Sequence, residues 1–144
     1  MITTQRMVGT PRPSATRTPA VRFARAAGVV YCSAGIVGFG VTGFSSMTTT
    51  RGAVLLGFEV NGIQNLLHLL VGITLVAAAG ASPEAARVAT MLAAAAFAVV
   101  GLFGIGVVGT DGNVLAVNTA TITAHLLTAA IAGTCAVLPT DRRP

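Results

Sequence analysis

The chain has 144 residues, 53% of them hydrophobic and 9% charged, with a formal charge of +5 and a pI near 11.1. An ordinary soluble domain carries about 25% charged residues, so these side chains are too few to cover a water-facing globule. The basic charge consists only of arginines, mostly at the edges of apolar runs. That placement accounts for the pI without a nucleic-acid partner and makes the lipid bilayer the solvent.

Residues 1–22 form a tail rich in Thr, Pro and Arg, with Pro11, Pro13 and Pro19. It offers too little apolar surface to offset the entropy of ordering, so the expectation is a disordered segment whose arginines lie on anionic lipid. A membrane domain follows over 23–138. Its first span is expected over 26–44, nineteen residues without a charge. A polar link follows, and then the patch from Ala53 to Phe58. That patch is too short to cross a bilayer and reads as a re-entrant or interfacial piece. The second span covers 62–79, a turn carries Ser82 and Pro83, and the third span covers 88–108. Thr110-Asp111-Gly112-Asn113 is a turn signal. The fourth span covers 119–138, and 139–144 form a second short tail. Backbone groups in hydrocarbon must be satisfied within their own segment, so these runs are helices. The fold class is therefore all-α, a polytopic membrane protein.

With four spans, the two tails and the 80–87 turn share one face. Eight of the nine arginines lie there, and only Arg51 lies on the other. The positive-inside bias then puts both termini in the cytoplasm, the membrane being a plasma membrane. Cys32 and Cys135 fall inside apolar runs on that side, where packed thiols are expected rather than a disulfide.

The two halves resemble each other. Val60-Asn61 precedes His68-Leu69-Leu70 as Val117-Asn118 precedes His125-Leu126-Leu127, at a separation of 57. Gly38, Gly40 and Gly43 likewise correspond to Gly104, Gly106 and Gly109, 66 residues on. This pattern predicts two tandem hairpins of like orientation, a parallel repeat that closes a four-helix bundle.

Asn61 and Asn118 stand where the second and fourth helices begin, as N-caps, and Gln64 is placed to close a capping box in the first half. Each histidine lies seven residues on, about 10 Å below its helix start and near the face of its asparagine. Asn65 lies between in the first half. Ionisable groups at such depth face a bundle interior and have partners, so His68 and His125 are expected to meet. Three roles stay open: an interhelical hydrogen bond that sets register, a cofactor-binding pair for a haem or other redox group, and a proton relay. Neither an acid nor a cysteine sits at that depth, which argues against a closed zinc site.

No Gly-rich phosphate loop, H-E-x-x-H or G-x-S-x-G occurs. The expectation is a non-enzymatic accessory or scaffolding subunit. It would associate with other membrane proteins, or with itself, through small-residue surfaces at Gly35, Gly38, Ala93 to Ala96, Gly101 and Gly104. Ligand binding at His68 and His125 is the alternative, and a small transporter a third.

Leu55-Leu56-Gly57-Phe58-Glu59-Val60-Asn61 and Asn65-Leu66-Leu67-His68-Leu69-Leu70-Val71-Gly72, with Gly43-Phe44 before them, resemble a bacterial membrane family, that of domain of unknown function 4383. The likeness covers about residues 22 to 138. It implies a small four-helix protein with an N-x-x-H-N-x-x-H-L type stretch and no established activity. Gln64 stands where the family commonly has the first histidine, which removes one donor from any metal reading.

Overall fold

The computed structural model of the chain describes residues 18–44 and 47–138. Their elements run α1 (Pro19–Thr42), β1 (Ala53–Leu55), β2 (Phe58–Val60), α2 (Gly62–Ala81), α3 (Pro83–Val107) and α4 (Thr119–Val137). All four helices are long and apolar enough to cross a membrane, giving an all-α, multi-pass membrane fold.

Two helix starts, those of α1 and α3, lie earlier than hydropathy alone places them, while α2 and α4 begin where expected. α1 begins at Pro19, because the Thr18 hydroxyl accepts from Val21 N at 3.2 Å and proline suits the first helical position. Residues 18–22 of the expected tail therefore belong to the cap and first turn of a helix. Ala20, Val21 and Ala24 are buried there. α3 likewise begins at Pro83, where Ser82 ends α2 and caps α3 through Ala85 N at 3.0 Å. Apolarity marks where lipid begins, and capping marks where the helix does. The tail segments 1–17 and 139–144 lie outside the described residues.

The patch at 53–58 is not re-entrant. Ala53, Val54 and Leu55 pair antiparallel with Val60, Glu59 and Phe58 in a two-stranded hairpin at one end of the bundle. Its turn holds Leu56 at φ 52° and Gly57 at φ 89°, the positive values a two-residue hairpin turn demands. Because its backbone is satisfied across the strands, the segment has no need to enter between helices. Leu56 is 91% exposed.

α1 packs chiefly on α2, and α3 chiefly on α4. Glycines set the first approach. A Cβ at Gly28, Gly35 or Gly72 would come within 2.6–2.9 Å of the facing helix, and one at Gly38 would fall on the Asn65 amide. In the second hairpin Gly101 faces Leu126 and Gly104 faces Ile122. The small residues expected to recruit partners are thus largely used inside the molecule: Gly35, Gly38, Ala93, Gly101 and Gly104 are all buried. The reason is that apolar burial gives helices no mutual attraction in lipid, so van der Waals contact between close backbones has to supply it.

Burial recurs along the chain at the two sequence separations. Gly35 and Gly38 correspond to Gly101 and Gly104, Leu75 and Ala79 to Ala132 and Ala136, and all are buried. At the terminal end Thr90 donates to Ala20 O at 3.4 Å and the Arg87 guanidinium to Ala136 O at 3.0 Å. These bonds tie the start of α3 to both α1 and α4.

Candidate functional site

At the hairpin end each asparagine caps its own helix and supports the other half. Asn61 Oδ1 accepts from Gln64 N at 3.0 Å, and its amide donates to Thr49 O at 3.0 Å and Val114 O at 2.8 Å. Asn118 Oδ1 accepts from Thr121 N at 3.0 Å, and its amide donates to Gly57 O at 2.9 Å. Gly57 and Val114 are themselves 57 residues apart. The two cross-bonds are therefore reciprocal.

Gln64 does not close a capping box. Its buried side chain ends between two carbonyls, and the amide orientation that satisfies them donates to Leu115 O at 2.7 Å and to Glu59 O of β2 at 3.1 Å. Two carbonyls there outcompete the backbone N–H that a capping box would serve. Asn65 is fully buried and turned to α1, donating to the Thr42 hydroxyl at 2.9 Å.

The structure brings His68 and His125 together. Their Nε2 atoms are 3.5 Å apart, a long hydrogen bond, with the rings edge to face at 78°. In a neutral pair one Nε2–H donates to the other lone pair, which leaves one Nδ1 as acceptor and the other as donor. Both Nδ1 atoms are buried and find no partner among the described residues.

Two further aromatic rings, which the sequence reading passed over, complete the cluster. Tyr31 lies 5.1 Å from His68 and Phe97 lies 5.3 Å from His125, centroid to centroid. Tyr31 and Phe97 stack on each other at 4.6 Å. They are 66 residues apart, the separation already carried by the glycines, so the signal was present in the chain. Tyr31 OH and the Thr128 hydroxyl also meet at 2.8 Å, linking α1 to α4.

The histidine pair separates two cavities. One, of about 510 Å³, lies between α1 and α4 beneath the β-hairpin and includes Tyr31, Thr128, Gln64 and both histidines in its wall. The other, of about 90 Å³, lies between α2 and α3 on the far side of the pair. Every residue lining the small cavity has its counterpart, at 57 or 66 residues, in the wall of the large one.

These contacts limit the chemistry. A haem held by both imidazoles needs their nitrogens on opposite faces of the macrocycle, and nitrogens 3.5 Å apart leave no room for that plane. Among the described residues no group of three or more His, Cys, Asp or Glu gathers to hold a metal ion. Cys32 and Cys135 are free thiols, half-buried in α1 and α4. What the arrangement does offer is a lipid-depth cavity with hydroxyl, amide and imidazole groups in an apolar wall.

No curated protein and no solved structure matches the chain. A family model, domain of unknown function (DUF4383), matches residues 22–138, nearly all of the four-helix region. The chain belongs to that family.

Proposed function

We propose that this membrane protein acts by binding, holding a lipophilic molecule in the cleft between α1 and α4 against the His68–His125 pair. The observation that carries this is the cavity itself. About 510 Å³ is within the range of small-molecule sites, and such sites are apolar walls with a few convergent polar groups. In this reading the two hairpins are parallel repeats in a bacterial plasma membrane, with both termini cytoplasmic, and the histidines set register and form one wall of the site.

The test is retention. Full-length protein taken from its membrane in polymer discs is extracted with organic solvent, and the extract is analysed by mass spectrometry. One lipophilic compound per chain is expected, lost when Ala34→Val and Ala124→Leu fill the cleft. An extract holding only bulk lipid, identical in the filled variant, sinks the reading.

An accessory role beside other membrane proteins, or with a second copy, is the second reading. Gly40 and Gly106 favour it: they occupy corresponding positions on α1 and α3, and a Cβ on either would meet nothing. These are notches on the lipid-facing surface of the kind that admit a neighbouring helix. Crosslinking through cysteines placed at Gly40 and Gly106 should then capture a stoichiometric partner. A chain that stays monomeric and uncrosslinked in its own membrane removes this reading.

A further inference from the structure

Four exchanges between the large cleft and its small counterpart add space or polarity, while Val30 and Phe58 stand where the small one has Ala96 and Leu115. Where the small one has Val100 and Leu67, the large one has Ala34 and Ala124. Where the small one has Phe97 and Val71, the large one has Tyr31 and Thr128. The first two exchanges remove side-chain carbons and open space. The second two put a hydroxyl on each wall, and these hydroxyls meet at 2.8 Å. Such a pair carries two protons, of which one lies between the oxygens and the other is left to donate elsewhere. Neither hydroxyl makes a further hydrogen bond among the described residues, so the second proton can serve an acceptor in the cleft.

Among the described residues lining the cleft none is charged. A phosphate, carboxylate or ammonium head would find no counter-charge there, and the ligand is neutral. Tyr31, His68, His125 and Phe58 present flat groups in the wall, which suit a ring. Val30 and Val37 at the cleft's edge are 61% and 50% exposed on α1, so access is sideways, from the bilayer.

We infer that the cleft takes a neutral lipid of the isoprenoid-quinone class. Its ring carbonyl accepts the spare O–H of the Tyr31–Thr128 pair, and its apolar tail leaves between α1 and α4 into lipid. This rests on the ligand-binding reading above and narrows it to one chemical class.

The chain has one tyrosine and no tryptophan, so its intrinsic fluorescence reports the cleft directly. Full-length protein in quinone-free phosphatidylcholine nanodiscs is titrated with a decyl-substituted benzoquinone. Saturable quenching of Tyr31 is expected, at one equivalent per chain, above the linear collisional background. Ala34→Val with Ala124→Leu should abolish the saturable part. Thr128→Val, nearly the same shape without the hydroxyl, should weaken it by up to about tenfold with helicity unchanged. Purely linear quenching, identical in wild type and Thr128→Val, overturns the assignment. If solvent extraction yields one acyl lipid or polycyclic alcohol per chain that the quinone does not displace, the ligand-binding reading stands and the quinone class falls. A chain that retains no lipophile and shows only linear quenching overturns both.

Discussion

The α2/α3 cleft is built from positions that recur in the α1/α4 cleft around the same two histidines, yet the α1/α4 cleft holds about 510 Å³ and the α2/α3 cleft about 90 Å³. α2 and α3 lie closer together than α1 and α4, and side-chain size adds to the difference. Val100 and Leu67 fill one cleft, while Ala34 and Ala124 leave the other open. The closed cleft thus shows what this packing looks like when the protein completes it with its own carbon, and the open one keeps hydroxyls where its counterpart has only hydrocarbon.

Substitutions can break or sharpen that comparison, and the largest effect is expected at the glycines. Gly38→Ala drives a methyl onto the buried Asn65 amide and should cost about 3 kcal/mol. Gly104→Ala meets Ile122 Cγ1 at 2.8 Å and Val117 Cγ2 at 3.1 Å, contacts that displace carbon without breaking a hydrogen bond, and should cost about 1–2 kcal/mol. Equal losses in detergent unfolding would show that the two hairpins are packed alike after all. Next come the caps. Asn61→Ala removes a cap and two bonds to carbonyls, about 2 kcal/mol, against about 1 kcal/mol for Asn118→Ala with one. The same unfolding measurement checks their order.

Filling the open cleft with Ala34→Val and Ala124→Leu should change stability by less than about 1 kcal/mol, because it copies a packing the molecule already uses. A large loss in thermal stability would mean that the clefts are not equivalent. The smallest effect is expected at the imidazoles. A double-mutant cycle with His68→Phe and His125→Phe should give a coupling of about 0.6 kcal/mol, typical of interhelical bonds in membranes. A coupling several times larger would mark the pair as more than a register device.

Much of this was readable from the chain. The four apolar runs, the caps Asn61 and Asn118 and the meeting of His68 with His125 follow from periodicity and from matched spacing. Three features were not. The helix starts at Pro19 and Pro83 depend on caps outside the apolar runs, where hydropathy carries no signal. The β-hairpin depends on a Leu-Gly turn with Leu56 at positive φ, an unusual residue for that conformation. The cleft depends on what Ala34 and Ala124 fail to fill, and a void leaves no residue to notice. Tyr31 and Phe97 were visible in principle, but only to a reader who carried the glycine spacing one turn further.

The reciprocal asparagine bonds have a consequence for synthesis. Because the chain grows from its N-terminus, the Asn61 amide lacks one of its two carbonyls until the 53 residues to Val114 have been added. Gly57 O waits in the same way for Asn118. The early half is therefore left incomplete by design of its own sequence, and closure of that end is timed by the arrival of the late half.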